Sequence, residues 1–329
     1  KENRPVIDLL DIVPASNVIE IDPTSAVSLV TTAFSAVSRM RGEKIDAAID
    51  MEFFSRGSAI LAYLSGAAKR VGLHLFTCEG PYRGDLFTHK LLYNPYLHAK
   101  VYFASLVEAL LHKPPDTNTP LHFDIPDPAC ETAAFTPSEN ETIACTEKIE
   151  SLKRSPARKP VVILNPNSSD LLPIRKWPED NFIGLGALIR KDFPEATIII
   201  TGAEKEKPRA DAIASKINNA VSLAGSTTFR ELLTLYAVAD VLVTNDSGPA
   251  HFSTLTSVRS VILFGPETPF LYGSTGPGRE AVAPNLVCSP CVNVFNHRNS
   301  PCLSGVCLKN ISAGEVYKYV RKMILASSR

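Results

Sequence analysis

From Val161 to Phe264 the chain alternates short apolar runs with stretches of helical periodicity, and that alternation leaves few folds open. Val161 to Asn165, Ala196 to Thr201, Val221 to Leu223, Asp240 to Thr244 and Ser260 to Phe264 are rich in β-branched residues, as strands covered on both faces of a parallel sheet must be. Asn181 to Lys191, Pro208 to Ile217 and Phe229 to Val238 read as the helices between them. Repeated strand-helix-strand units predict a doubly wound α/β sheet. Its ligands bind beyond the carboxyl ends of the strands. Five loops should share that rim: Asn165 to Trp177, Gly202 to Lys207, Ala224 to Thr228, Asn245 to His251 and Gly265 to Pro269.

The corner after the fourth of these strands is the most informative. Asn245, Asp246 and Ser247 end the strand. Gly248 lets backbone approach a ligand, and Pro249 suits a first helical turn because it has no N–H to satisfy there. The N–H groups that follow point out of the helix end and attract an anion. The diphosphate of a nucleotide-linked substrate is the expected occupant, with the Ser247 hydroxyl as a further donor. His251, one turn in, should stay near neutral beside the positive helix end. A strand-ending turn with a capped helix and a core histidine fits the same residues. The convergence of five loops favours the anion site.

The first half is less regular. Pro5 to Ile12 and Val18 to Ile21 look like the middle of an α/β domain, so strands upstream of Lys1 are expected. Ala26 to Arg41 reads as a helix, Asp46 to Asp50 as a buried strand, Ser58 to Ser65 as a helix closed by Gly66, and Ala67 to Leu73 as the approach to another strand. Gly80 to Pro95 reads as a loop. It carries Tyr82, Arg83, Asp85, His89, Lys90, Tyr93 and Asn94, which suit either a binding loop or a solvated connection. Ala99 to Leu111 is amphipathic, with Tyr102, Phe103, Leu106, Val107 and Leu110 on one side.

With 329 residues, 45% of them hydrophobic, the chain can fill two domain cores. The prolines from Pro114 to Pro128 and the charged run Lys153 to Pro160 flank a helical stretch, Glu139 to Leu152. Composition puts the linker near 153–160 and divides the chain into domains 1–155 and 156–329. Lysine plus arginine and aspartate plus glutamate each number 34. That balance gives no electrostatic case for nucleic acid or a polybasic membrane anchor. No apolar run reaches the length of a membrane span, and the reading is a soluble, cytoplasmic protein. Seven cysteines, with Cys78, Cys130 and Cys145 scattered, suit a reducing compartment.

Several motifs now fall in order: Asn165-Pro166, Lys176-Trp177-Pro178-Glu179, Thr201-Gly202-Ala203-Glu204, Leu223-Ala224-Gly225, Asn245-Asp246-Ser247-Gly248-Pro249-Ala250-His251 and Phe264-Gly265-Pro266. Together they resemble the carboxyl-terminal half of the family 9 glycosyltransferases, the ADP-heptose:lipopolysaccharide heptosyltransferases and their relatives. Asp46 to Asp50, Ser65-Gly66-Ala67 and Arg70-Val71-Gly72 resemble its amino-terminal half more loosely.

The resemblance implies GT-B architecture: two Rossmann-like domains with parallel sheets facing across a cleft, acceptor on the first and nucleotide-sugar donor on the second. It implies an inverting transfer that requires no metal. Donor-binding residues would be Asn165, Arg175, Lys176, Gly202, Glu206, Asp246, Ser247, Gly248, Pro249 and His251. Arg175 or Lys176 would meet the phosphates, Glu206 the nucleoside, and Asp246 the sugar hydroxyls or the backbone N–H groups. Substitution of Asp246 or His251 by alanine should then weaken donor use with little loss of stability. The catalytic base of the family is an aspartate in a Ser-Leu-Gly-Asp-like motif, absent from these residues and expected upstream of Lys1. The acceptor would be a lipopolysaccharide core or similar glycan, met by peripheral contact at the inner face of the inner membrane. Another sugar and acceptor, or nucleotide-sugar binding without catalysis, are the alternatives.

Cys288, Cys291, Cys302 and Cys307 crowd a short polar segment. A structural zinc site, free thiols and disulfides are all open to them, with His297 as a spare ligand. Ser312 to Ala326 is a last helix whose Ser312 and Glu315 form a capping-box pattern.

Overall fold

The computed structural model describes residues 4–77, 80–81, 83, 85–114, 120–126, 134–153, 156–168, 172–296 and 298–327. The chain divides into two compact units, Lys1–Glu131 and Thr132–Arg329.

The first unit opens with helices α1 (Arg4–Leu10) and α2 (Ala26–Gly42). Ser25 starts α2 because its Oγ accepts from Ser28 N at 3.0 Å. There follow β1 (Ala47–Ile49), α3 (Arg56–Leu64) and β2 (Lys69–Leu73), then the small antiparallel pair β3 (Leu75–Thr77) and β4 (Gly80–Pro81), β5 (His89–Leu91) and α4 (Ala99–Glu108). Strands β1, β2 and β5 pair in parallel in that order. Among the described residues β1 therefore lies at the edge of this sheet, and it is only half-buried, not the buried strand expected.

The stretch read as a loop from Gly80 to Pro95 contains β5. Its side chains mostly build the interior. Arg83 is buried against Asp50, Nη2 to Oδ2 2.6 Å, and also donates to Ser55 O and Ser58 Oγ. His89 is buried with Nδ1 2.8 Å from Thr88 Oγ1, and Lys90 pairs with Asp85. Tyr93 packs on Phe53, Phe54 and Tyr102. Tyr82 lies outside the described residues. On α4, Tyr102 and Leu106 are buried while Val107 is half-exposed, so the apolar stripe is narrower than read.

The second unit begins with α5 (Glu139–Lys153), whose Glu141 pairs with Arg230 and Lys148 with Glu231. The boundary thus comes earlier than the charged linker. α5 is mostly polar, and Ile149 is the side chain it buries in this unit. Then come β6 (Val161–Asn165), α6 (Glu179–Asp192), β7 (Thr197–Ile200), α7 (Lys207–Ser215), β8 (Ala220–Ser222), α8 (Phe229–Val238) and β9 (Val241–Asn245). The chain closes with α9 (Gly248–Phe252), β10 (Arg259–Leu263), α10 (Pro269–Tyr272), β11 (Arg279–Val282), α11 (Val306–Lys309) and α12 (Ala313–Ser327). The sheet is parallel throughout, in the order β11-β10-β9-β6-β7-β8. One of its two outermost strands, β11, carries Arg-Glu-Ala-Val, too polar to read as a strand. Ser312 caps α12 as expected, its Oγ accepting from Glu315 N at 3.1 Å. Val316, Val320 and Ile324 then join Phe182, Leu185 and Ile189 of α6 in one buried core.

Gly225 ties the loops after β7 and β8. Its N–H donates to Gly202 O at 2.9 Å, its φ is +69°, and a Cβ would stand 2.9 Å from Glu204 Cα. Backbone cannot move aside as a side-chain tip can. Gly225→Ala is expected to lose about 2–3 kcal/mol, read as a lower thermal midpoint; an unchanged midpoint would show that the turn relaxes freely.

Candidate functional site

Counted from β6, the strand order of the second unit is the 3-2-1-4-5-6 of doubly wound nucleotide-binding sheets, in which the first and fourth strands part company at a crevice. Those strands are β6 and β9, ending at Asn165 and Asn245. A cavity of about 320 Å³ opens beside their carboxyl ends, at the lower end of the range that small-molecule ligands occupy.

Buried amides hold the surrounding loops. Asn165 Nδ2 donates to Thr201 Oγ1 at 3.1 Å and its Oδ1 accepts from Asn167 N at 3.2 Å. Asn167 Nδ2 donates to Thr201 O at 3.1 Å. Asn245, with no exposed surface, binds three backbone groups: its Oδ1 accepts from Trp177 N at 2.9 Å, and its Nδ2 donates to Pro166 O and Asn167 O at 3.1 and 3.3 Å. Trp177 is buried too, its Nε1 donating to Ile311 O at 2.8 Å.

Of the ten donor-binding residues expected, Asn165, Gly202, Glu206, Ser247, Gly248 and Pro249 line the cavity. Gly202 leaves room that a Cβ would take from Asn167 Nδ2, 2.5 Å away. Glu206 Oε2 accepts from Ala203 N at 2.7 Å. The cavity also has an aromatic wall that sequence reasoning missed: Phe229 and Phe252, edge to face at 4.9 Å. Phe229 is the first residue of α8 because Thr228 caps that helix, its Oγ1 accepting from Glu231 N while Glu231 accepts from Thr228 N. In the sequence it read as one more apolar position.

α9 is five residues long and turns directly into the 3₁₀ turn Ser253–Leu255, so its dipole is that of a single turn. The Ser247 hydroxyl donates to Asn245 O at 3.0 Å instead of pointing outward. Arg175 is engaged by Asp246, its Nη2 lying 2.5 Å from Oδ2 and 2.8 Å from the carbonyl oxygen. Arg175, Lys176, Asp246 and His251 are not on the cavity wall, and His251 is exposed.

A further carboxyl stands in the fifth rim loop, where the sequence showed only Gly-Pro-Glu in a turn. Glu267 is buried and pushed up to about 7, chiefly by that burial and also by Asp246, with Arg298 and Arg175 pulling the other way.

The late cysteines spread between surface and core: Cys288 is exposed, Cys291 and Cys302 part-buried, Cys307 buried, and all are free thiols. Among the described residues no group of three or more histidine, cysteine, aspartate or glutamate side chains is placed to hold a metal. Cys307 nonetheless lies close enough to feel both Cys291 and Cys302 electrostatically. Burial pushes the Cys307 thiol up, whereas the Ser304 hydroxyl and nearby backbone N–H groups hold Cys302 down. Cys78, Cys130 and His297 lie outside the described residues. No helix among the described residues is long and apolar enough to cross a membrane.

The model of glycosyltransferase family 9 (heptosyltransferase) matches residues 34–299. Lipooligosaccharide heptosyltransferase 2 of Campylobacter jejuni is 29% identical over 176 residues, covering 50% of this chain and 52% of that protein. The chain thus spans about half the length of the curated relatives it matches. Among solved structures, a family 9 glycosyl transferase from Veillonella parvula superposes with a TM-score of 0.72 at 16% identity, over 98% of this chain and 86% of that one. The E. coli ADP-heptose lipopolysaccharide heptosyltransferase II gives 0.64 at 17%, over 91% and 82%. At such identities the likeness is one of fold, the GT-B fold expected.

Proposed function

Because this chain belongs to glycosyltransferase family 9, the heptosyltransferases, we propose that it transfers a heptose from ADP-heptose to a lipopolysaccharide core or similar glycan. The observation that carries this reading is the cavity at the β6–β9 crevice, polar where Asn165, Gly202 and Ser247 to Pro249 line it and aromatic at Phe229 and Phe252. Such a division suits a nucleoside diphosphate: the base against the rings, the ribose by Glu206, the phosphates along the Ser247–Pro249 backbone.

As the bond from the anomeric carbon to the diphosphate breaks, negative charge grows on the leaving oxygens. Groups that stabilise it there more than in the ground state accelerate the transfer. The Gly248 N–H takes that part at the cavity wall, and Arg175 or Lys176 supplies positive charge from behind it, Arg175 being held by Asp246 next to Ser247. The acceptor hydroxyl gives its proton to a general base as it attacks. No residue of this scheme calls for a metal. The acceptor would be met at the inner face of the inner membrane by peripheral contact.

The test is calorimetry with ADP, UDP and GDP, followed by detection of ADP released when ADP-heptose is mixed with a heptose-deficient core acceptor. ADP is expected to bind tightest. Gly202→Val, which fills the cavity beside Asn167, should weaken it at least about tenfold. Equal affinity for all three nucleotides, or full affinity in the variant, would remove the assignment; binding without turnover would point to a nucleotide-sugar binding protein.

A further inference from the structure

Glu267 leaves only 4% of its surface to solvent. Its Oε2 has no hydrogen-bond partner among the described residues, and its Oε1 lies 4.0 Å from Arg298 Nε. An orphaned charge in a protein interior is costly. The groups that face it come from three other segments. Arg298 also stacks over Tyr272 of α10 at 5.2 Å; with Arg175, from the 3₁₀ turn Pro173–Arg175, it favours the ionised carboxylate, while Asp246 after β9 opposes it. Arg175 in turn keeps a buried Nε without a partner among the described residues. Glu267 is thus the second carboxylate of a cluster in which Asp246 already holds Arg175.

We propose that Glu267 is a positioning residue coupled to the donor's diphosphate: it takes up a proton from solvent as the diphosphate seats beside Arg175, and returns it when the diphosphate leaves. This rests on the donor reading above. The physical cause is like-charge repulsion in a buried site. Phosphate oxygens near Arg175 share the positive charge that keeps Glu267 ionised and add negative charge of their own, and both effects favour the neutral acid. An ionised Glu267 opposes the diphosphate; a protonated one does not. The carboxyl begins near 7, so the exchange falls where it can be measured.

The sign follows. The protonated form binds the diphosphate better, so ADP affinity is highest below about pH 7 and falls as pH rises through it. Calorimetric titration of the chain with ADP near pH 7, in two buffers of different ionisation enthalpy, is expected to show uptake of on the order of half a proton per ADP. The terminal phosphate of ADP titrates in the same range. It is common to wild type and Glu267→Gln, which mimics the neutral acid, so the difference between the two proteins carries the test. Between about pH 6 and pH 8 the wild-type affinity should fall up to about tenfold more than that of the variant. Arg298→Met removes a cation that holds the carboxyl down and should move the fall to higher pH. Identical proton uptake in wild type and Glu267→Gln overturns the proposal while leaving the donor site standing. Absence of ADP binding in wild type at every pH overturns the donor reading and this inference with it.

Discussion

Replacing Asn245 by aspartate, a change of one NH₂ for one oxygen, is expected to cost about 3–5 kcal/mol and to abolish ADP binding. The Asn245 side chain is buried and its Nδ2 donates to the carbonyls of Pro166 and Asn167. Aspartate would aim an oxygen at both carbonyls and bury a charge with no cation facing it in those bonds. Alanine should also be severe, since it leaves the Trp177 N–H and two carbonyls without their partner, at about 1–3 kcal/mol for each group left unsatisfied. Trp177 is the one tryptophan of the chain and its own N–H is the third bond of this clamp. Its fluorescence through a denaturant titration therefore reports the loss directly. A wild-type midpoint together with wild-type ADP affinity in Asn245→Asp would show that the clamp does not hold the cavity loops.

The second large effect is expected at the Arg175–Asp246 pair. Asp246→Ala should lower turnover at least about a hundredfold, because Arg175 loses the carboxylate that orients it toward the leaving diphosphate. It should also destabilise the fold by about 1–3 kcal/mol, since Asp246 is nearly buried, Arg175 partly so, and removing one partner leaves the other's charge in a poorly solvated place. The sequence alone suggested a substitution with little cost in stability; the buried ion pair changes that. Arg175→Ala should behave alike. The double variant should recover part of the stability, giving a coupling energy of about 1–2 kcal/mol, while turnover stays low. Additive stability losses would mean that the pair contributes nothing as a pair.

Much of the second unit was legible in advance because its strands are buried on both faces. Ile-rich and Val-rich runs such as Val161–Asn165 and Thr197–Ile200 have few alternatives to a parallel sheet, and Thr228 and Ser312 mark helix starts through short-range hydrogen bonds that sequence spacing encodes. The first unit was less legible. β5 is three residues of mixed polarity, His-Lys-Leu, and becomes a strand only because β2 offers it a partner. β11 is hidden for the same reason, its Arg279 and Glu280 being tolerable on a strand at the margin of the sheet. Six of the ten expected donor residues meet at one cavity because the strand order brings their loops together. Phe229, Phe252 and Glu267 carry no local signal of a site. An aromatic wall and a buried acid exist only once separate segments have packed.

What the amino-acid sequence determined by itself is the set of elements with strong short-range or periodic cause: buried parallel strands, capped helices, and the glycine and proline corners that end them. The order in which the strands lie side by side, the pairing of Arg175 with Asp246, the boundary that sends α5 to the second unit, and the acidity of Glu267 were decided by tertiary structure alone. Each depends on the dielectric, charge and hydrogen-bond partners supplied by residues far away in the chain, and no spacing along the chain encodes those.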